Sequence, residues 1–218
     1  MKTHRLRSVS ISAAVCGLLL LSAGPLRADN LIVNPGFERG EGGSIEDWNA
    51  NPRNWKSGAK ASIDKAEHHS GDKSLLLEMP QPLKSGERGF VLVTQDVPVE
   101  AGKSYNLRYW YKAQGLVKED RAHKERGYAN LAVWIFWLDK DHKSVGSPPH
   151  SWMSNIQTDA KDWVKVENTR HAQPGDGTPF RAPEGAVMAQ IKLQMAVTAP
   201  DAAPKVWLDD VEFEEVGK

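Results

Sequence analysis

One cysteine, Cys16, stands in a chain of 218 residues, so no intrachain disulfide can staple it. An excess of one charge is missing too, with 28 Lys and Arg against 28 Asp and Glu. That balance leaves no electrostatic footprint for a phosphate backbone, and no helix-turn-helix, finger or RNA-binding signature stands beside it, which excludes nucleic acid as a partner. Nowhere does an apolar 3.6-residue period persist for three turns, and this argues against a helical fold. Nucleophilic and zinc chemistry lack their signatures. There is no Gly-x-Ser-x-Gly elbow, and His68, His69, His142, His150 and His171 form no pair with ligand spacing on a defined element. What is present is globular in kind, 40% hydrophobic and 26% charged.

The N-terminus follows a different rule. Lys2, Arg5 and Arg7 precede an apolar stretch from Ile11 to Leu21, and Leu26-Arg27-Ala28 gives a small-residue exit. The apolar stretch is short of the roughly 20 residues that span a bilayer, so residues 1–28 read as a signal peptide and 29–218 as one exported domain. The expected location is secreted or periplasmic, with no membrane span after cleavage. Cleavage removes Cys16 and the four basic residues Lys2, Arg5, Arg7 and Arg27, taking the basic count from 28 to 24 against 28 acids. A disulfide-free exported domain must then be held by its own core or by a metal.

Period-two alternation recurs along the rest of the chain. It predicts strands at Ala59 to Asp64, Ser74 to Met79, Phe90 to Val99, Lys103 to Ala113, Asn130 to Leu138, Trp163 to His171, Ala186 to Val197 and Lys205 to Glu214. Turn chemistry separates them at His69-Ser70-Gly71-Asp72, Glu100-Ala101-Gly102, Asp139 to His142, Pro174 to Gly177 and Pro200-Asp201. Eight or more strands with connections of mixed length fit an all-β jelly roll, two antiparallel sheets in a sandwich, better than an immunoglobulin sandwich. Lys118 to Arg126 alternates in sign without an apolar face and reads as a solvated loop with a transient helical turn.

Three strands carry the functional argument. In Ala186 to Val197, the odd positions Val187 to Val197 make a core face, while Gln190, Lys192 and Gln194 line the other at steps of about 7 Å. In Asn130 to Leu138, Leu131, Val133, Ile135 and Trp137 face the core, yet Trp134 and Phe136 fall opposite. In Lys103 to Ala113, Arg108 and Trp110 stand on the polar side. Each polar row is either a solvated face or part of a site, and each aromatic either loop-covered or open. If all three share one sheet, Trp110, Trp134, Phe136, Arg108, Gln190, Lys192 and Gln194 line one surface. That combination suits a sugar, whose apolar face packs on an indole and whose hydroxyls need amide and charged partners. The segment Ser147 to Thr158, with His150, Trp152 and Asn155, either walls such a cleft or covers it.

Four segments then match a known pattern in order. They are Asn30-Leu31-Ile32-Val33-Asn34-Pro35-Gly36-Phe37-Glu38, the turn His69 to Leu75, Val97 to Leu107, and the closing Val206-Trp207-Leu208-Asp209-Asp210-Val211-Glu212-Phe213. Together they resemble the CenC-type carbohydrate-binding modules of families four and nine, galactose-binding-like jelly rolls, over nearly the whole of 29–218. The resemblance implies a non-catalytic, monomeric protein that binds a polysaccharide or oligosaccharide on a concave sheet. It also implies a structural calcium ion (Ca2+) held by Glu38 and Asp209 or Asp210, with carbonyls from Gly36 and from the turn through Lys73. Calcium's preference for six to eight hard oxygens suits such a set. An adhesion module using the same sheet for a protein partner is the alternative. A glycoside hydrolase or lyase is less well supported, because Asp139, Asp159, Glu167 and Glu184 fall in turns or at strand ends rather than on the polar faces.

Overall fold

The computed structural model describes residues 29–148, 150–168 and 178–217. The signal-peptide expectation for 1–28, the turn Pro174 to Gly177 and His171 lie outside the described residues. The chain is all-β, and the helical turns among the described residues are two three-residue 3-10 turns, Pro52–Asn54 and Lys124–Arg126. The strands are β1 Gly40–Glu41, β2 Ser44–Ile45, β3 Lys60–Asp64, β4 Ser74–Glu78, β5 Gly89–Pro98, β6 Ser104–Gln114, β7 Ala129–Leu138, β8 His150–Ile156, β9 Ala160–Glu167, β10 Phe180–Arg181, β11 Met188–Val197 and β12 Lys205–Glu215. Each of the eight strands expected from alternation has its counterpart.

Beside a two-stranded β1-β2 hairpin, two antiparallel sheets of jelly-roll type enclose one core. The larger runs β10-β6-β12-β4-β3 with β9 also paired to β6, and the smaller runs β5-β11-β7-β8. Alternation sets the inward faces. Tyr105, Leu107, Tyr109 and Tyr111 of β6 and Val206, Leu208, Val211 and Phe213 of β12 meet Ala189, Ile191, Leu193 and Met195 of β11 and Leu131, Val133, Ile135 and Trp137 of β7. Each fully buried side chain of this size contributes about 1.5–3 kcal/mol relative to exposure.

Two expectations need correction. Val187, placed on the core face, is 43% exposed, because β11 begins only at Met188. The segment around His150 is an edge strand, β8, rather than a loop. Its inward positions Ser151 and Ser154 are polar because they meet polar tips of core aromatics. The Trp137 indole N–H donates to Ser151 Oγ, and the Tyr109 hydroxyl bonds Ser154 Oγ across the sandwich.

The N-terminal segment is strapped along β12. Leu31 N donates to Phe213 O and Val211 N to Pro35 O. Asn30 reinforces the strap, its Oδ1 accepting from Ile32 N and Phe213 N while its amide donates to Val211 O. A bulge in β12 between Asp209 and Glu212, with Asp210 at φ 47°, turns the Asp209-Asp210 pair toward this strap.

Candidate functional site: the outer face of the smaller sheet

β11 lies between β5 and β7, so its outward residues are flanked on both sides. Lys192 is opposite Thr94 on one side and Trp134 on the other, Gln190 opposite Asp96 and Phe136, and Gln194 opposite Leu92 and Ala132. Directly opposed side chains have Cβ atoms about 4.5–5.5 Å apart, so these rows form one continuous surface. β8 extends it, with His150 opposite Phe136 and Asn155 opposite Ala132.

An aromatic platform occupies one end. The Trp134 and Phe136 ring centroids lie 5.9 Å apart, and His150 packs against both, at 5.1 Å and 5.2 Å. Lys192 Nζ sits 3.6 Å from the Phe136 ring centroid, within cation–π range. Burial lowers the pKa of this ammonium from its ordinary value, with Asp96 pulling the other way. At the rim the Gln190 amide donates to Asp96 Oδ1 at 2.7 Å, and Asn130 donates to Asn155 Oδ1 at 2.6 Å. The surface therefore offers partly exposed aromatic rings beside amides and a cation, which are the groups a pyranose needs.

Five of the seven expected ligand residues share this face, and two do not. β6 belongs to the larger sheet, so Arg108 and Trp110 point away on the opposite side of the sandwich. The phase of β6 is as expected; its sheet is not. There Arg108 is held by Glu212 at 2.9 Å, by Glu214 in a shorter contact and by Glu167 at 3.7 Å. Trp110 lies under His69, stacked at 3.8 Å between centroids. His150, Asn155 and Asp96 join the candidate face without having been singled out as ligand residues. Alternation marks Asp96 as an outward residue of β5, whereas β8 loses its period at a bulge opposite Val133 and Trp134.

The expected metal ligands also converge. Glu38 Oε1 accepts the backbone N–H groups of Asp72 and Lys73, and Asp209 Oδ2 accepts those of His69 and Ser70. Asp210 takes the Ser70 hydroxyl at 2.7 Å and His69 Nδ1 at 2.6 Å. A Cβ added to Gly36 would stand 3.5 Å from Asp209 Oδ1 and 3.7 Å from Asp210 Oδ1, and one on Gly71 would overlap Glu38 Oε1 at 2.1 Å. Burial pushes the Asp209 carboxyl up to about 6, against the opposing pull of the Ser70 and His69 amides. The donors fit a hard cation in kind, carboxylates beside glycine-lined backbone. Among the described residues no group of three His, Cys, Asp or Glu side chains stands ready in ligating geometry. Lys73 reaches the same corner with its ammonium, donating to the carbonyls of Glu38 and Gly40.

No protein-family model matches the chain, and no curated protein does. Solved structures do. The xylan-binding domain CBM22-1 of Paenibacillus barcinonensis Xyn10C is 16% identical with a TM-score of 0.50, over 88% of this chain and 97% of that one. The module TmCBM61, solved in complex with β-1,4-galactotriose, is 16% identical with a TM-score of 0.51, over 86% and 99%. The enzymatically active domain of Bacteriophage CBA120 tailspike protein 4 is 15% identical with a TM-score of 0.55, and this chain spans 21% of it. The chain thus has the fold of carbohydrate-binding modules.

Proposed function

We propose that this protein is an exported, non-catalytic carbohydrate-binding protein that takes a polysaccharide or oligosaccharide on the outer face of β5, β11, β7 and β8. The observation that carries the reading is the register of β11 against β7, which sets Lys192 beside Trp134 and Gln190 beside Phe136. Trp134 and Phe136 stack on pyranose rings, while Gln190, Lys192 and Gln194 hydrogen-bond hydroxyls. The shared fold with sugar-binding modules supports this, as do the CenC-type motifs. Asp96 is the one carboxylate among the outward residues of β5, β7 and β11, whereas glycoside hydrolysis ordinarily uses two facing carboxylates.

A structural calcium ion belongs to the same proposal. Glu38, Asp209 and Asp210 supply carboxylates and Gly36 and Lys73 carbonyls, and the ion clips the N-terminal strap and the His69 to Lys73 turn to β12. The test of the binding function is affinity electrophoresis and pull-down against β-glucans, xylans, galactans and mannans. Retention by at least one supports the reading. No retention across the panel contradicts it and favours a protein-binding module, and release of reducing sugar would make the protein an enzyme.

A further inference from the structure

Lys192 is the one cation among the outward residues of β5, β7 and β11, and it stands at the centre rather than the rim. Its ammonium is fixed over Phe136, and among the described residues no carboxylate lies within 4 Å of it. The acid on the face, Asp96, favours this charge only from beyond ion-pair distance, while it accepts from Gln190 at 2.7 Å and lies 3.6 Å from His142 Nδ1. The opposite face behaves differently. There Arg108, Lys112 and Lys165 each have a glutamate within 4 Å.

A half-buried ammonium with no carboxylate at ion-pair distance is costly, and the ring beneath it and the more distant Asp96 offset only part of the desolvation. A neutral sugar needs only donors and acceptors, which Gln190 and Gln194 already supply on either side without a charge. The cation gains most from an anion, because charge-assisted hydrogen bonds are roughly twice as strong as neutral ones. We infer that the glycan bound by this face is acidic, carrying carboxylate or sulfate groups, one of which docks against Lys192. The inference rests on the proposed binding function and narrows its ligand class.

The experiment compares the protein's affinity for polygalacturonate with that for the same polymer after its carboxylates are reduced to alcohols. A sulfated galactan and its desulfated counterpart form the second pair, so the two sources of negative charge are read separately. The expected result is an acidic-to-neutral affinity ratio of about tenfold or more in one pair at low ionic strength, falling as salt screens the contact. In Lys192→Gln that ratio collapses toward one. A ratio at or below one in the wild-type protein, with neutral polymers still retained, overturns the acidic ligand and leaves the binding function standing. A high ratio that persists in a folded Lys192→Gln protein overturns the assignment to Lys192. If that variant does not fold, the wild-type ratio and its salt dependence still decide. Retention of no polymer at all removes the binding function, and the inference with it.

Discussion

The two outer faces of the sandwich each display a tryptophan that alternation turns outward, Trp110 between Arg108 and Lys112 and Trp134 between Ala132 and Phe136, and use them in opposite ways. On the larger sheet Trp110 is covered by His69, and its neighbours are consumed in ion pairs, Arg108 with three glutamates and Lys112 with Glu67. On the smaller sheet Trp134 and Phe136 stay half-buried beside three long polar side chains of β11. Alternation fixes which side of a sheet a residue takes. What surrounds a residue on that side is decided by distant segments, here the His69 turn, which stacks on Trp110, and the glutamates of β9 and β12, which take up Arg108.

The largest expected effect falls on the outer face of the larger sheet. Arg108→Met leaves Glu214, Glu212 and Glu167 without their shared cation, and Glu214 is only 5% exposed. Removing one partner of such a buried cluster costs about 3 kcal/mol, which denaturant unfolding will register, while glycan retention stays as in wild type. Loss of binding by a still-folded Arg108→Met protein would break the division between the faces.

Metal removal comes next. A ligand that binds only the folded state stabilises it by about 2.7 kcal/mol at a hundredfold excess over Kd, so chelating calcium from metal-loaded protein should lower the melting temperature. Unchanged melting would remove calcium's structural role. The strap would then rest on its direct bonds, those of Asn30 and the backbone to β12 and the reciprocal pair between Val33 and Gln95 among them.

A smaller effect sharpens the contrast. Trp207 donates its indole N–H to Asp64 Oδ2 at 2.8 Å. Burial pushes the Asp64 carboxyl up, but the Trp207 indole, the backbone amides of Ala66 and Glu67, and Lys205 outweigh it and hold the group below its usual value. A depressed carboxylate contributes stability above its unfolded pKa and loses it as pH falls through the folded one. Trp207→Phe should therefore cost about 1 kcal/mol at pH 7 and less at an acid pH low enough to protonate Asp64 in the folded protein. Equal losses in thermal melts at both pH values would contradict this.

Much of this molecule was legible in its sequence for identifiable reasons. The β6, β7 and β11 faces follow from strict alternation, and the turn at Asp139 follows from an aspartate whose Oδ1 accepts from Asp141 N and Lys143 N. The N-terminal motif is recognisable because Asn30 and Asn34 spend their amides on fixed backbone partners, Asn34 bridging Arg39 O and Glu46 O. β8 was not legible, since Ser151 and Ser154 point inward to aromatic tips that only the fold brings near. Sheet membership was not legible either. Nothing in the Tyr105 to Tyr111 alternation says that β6 pairs with β12 and β9 rather than with β11, and that ambiguity grouped Arg108 and Trp110 with residues of the other sheet.

The central claim is that the smaller sheet's outer face binds sugar and the larger sheet's does not. Its most direct test is a parallel affinity measurement of wild type, Trp134→Ala and Trp110→Ala against whichever glycan the wild type retains, with unfolding curves for all three. Loss of an aromatic stacking surface weakens binding by about 1–3 kcal/mol, so Trp134→Ala should lose roughly tenfold or more in affinity while remaining folded. Trp110→Ala should keep wild-type affinity and lose stability instead. Loss of affinity in Trp110→Ala, with binding intact in Trp134→Ala, would contradict the account and move the site to the opposite face.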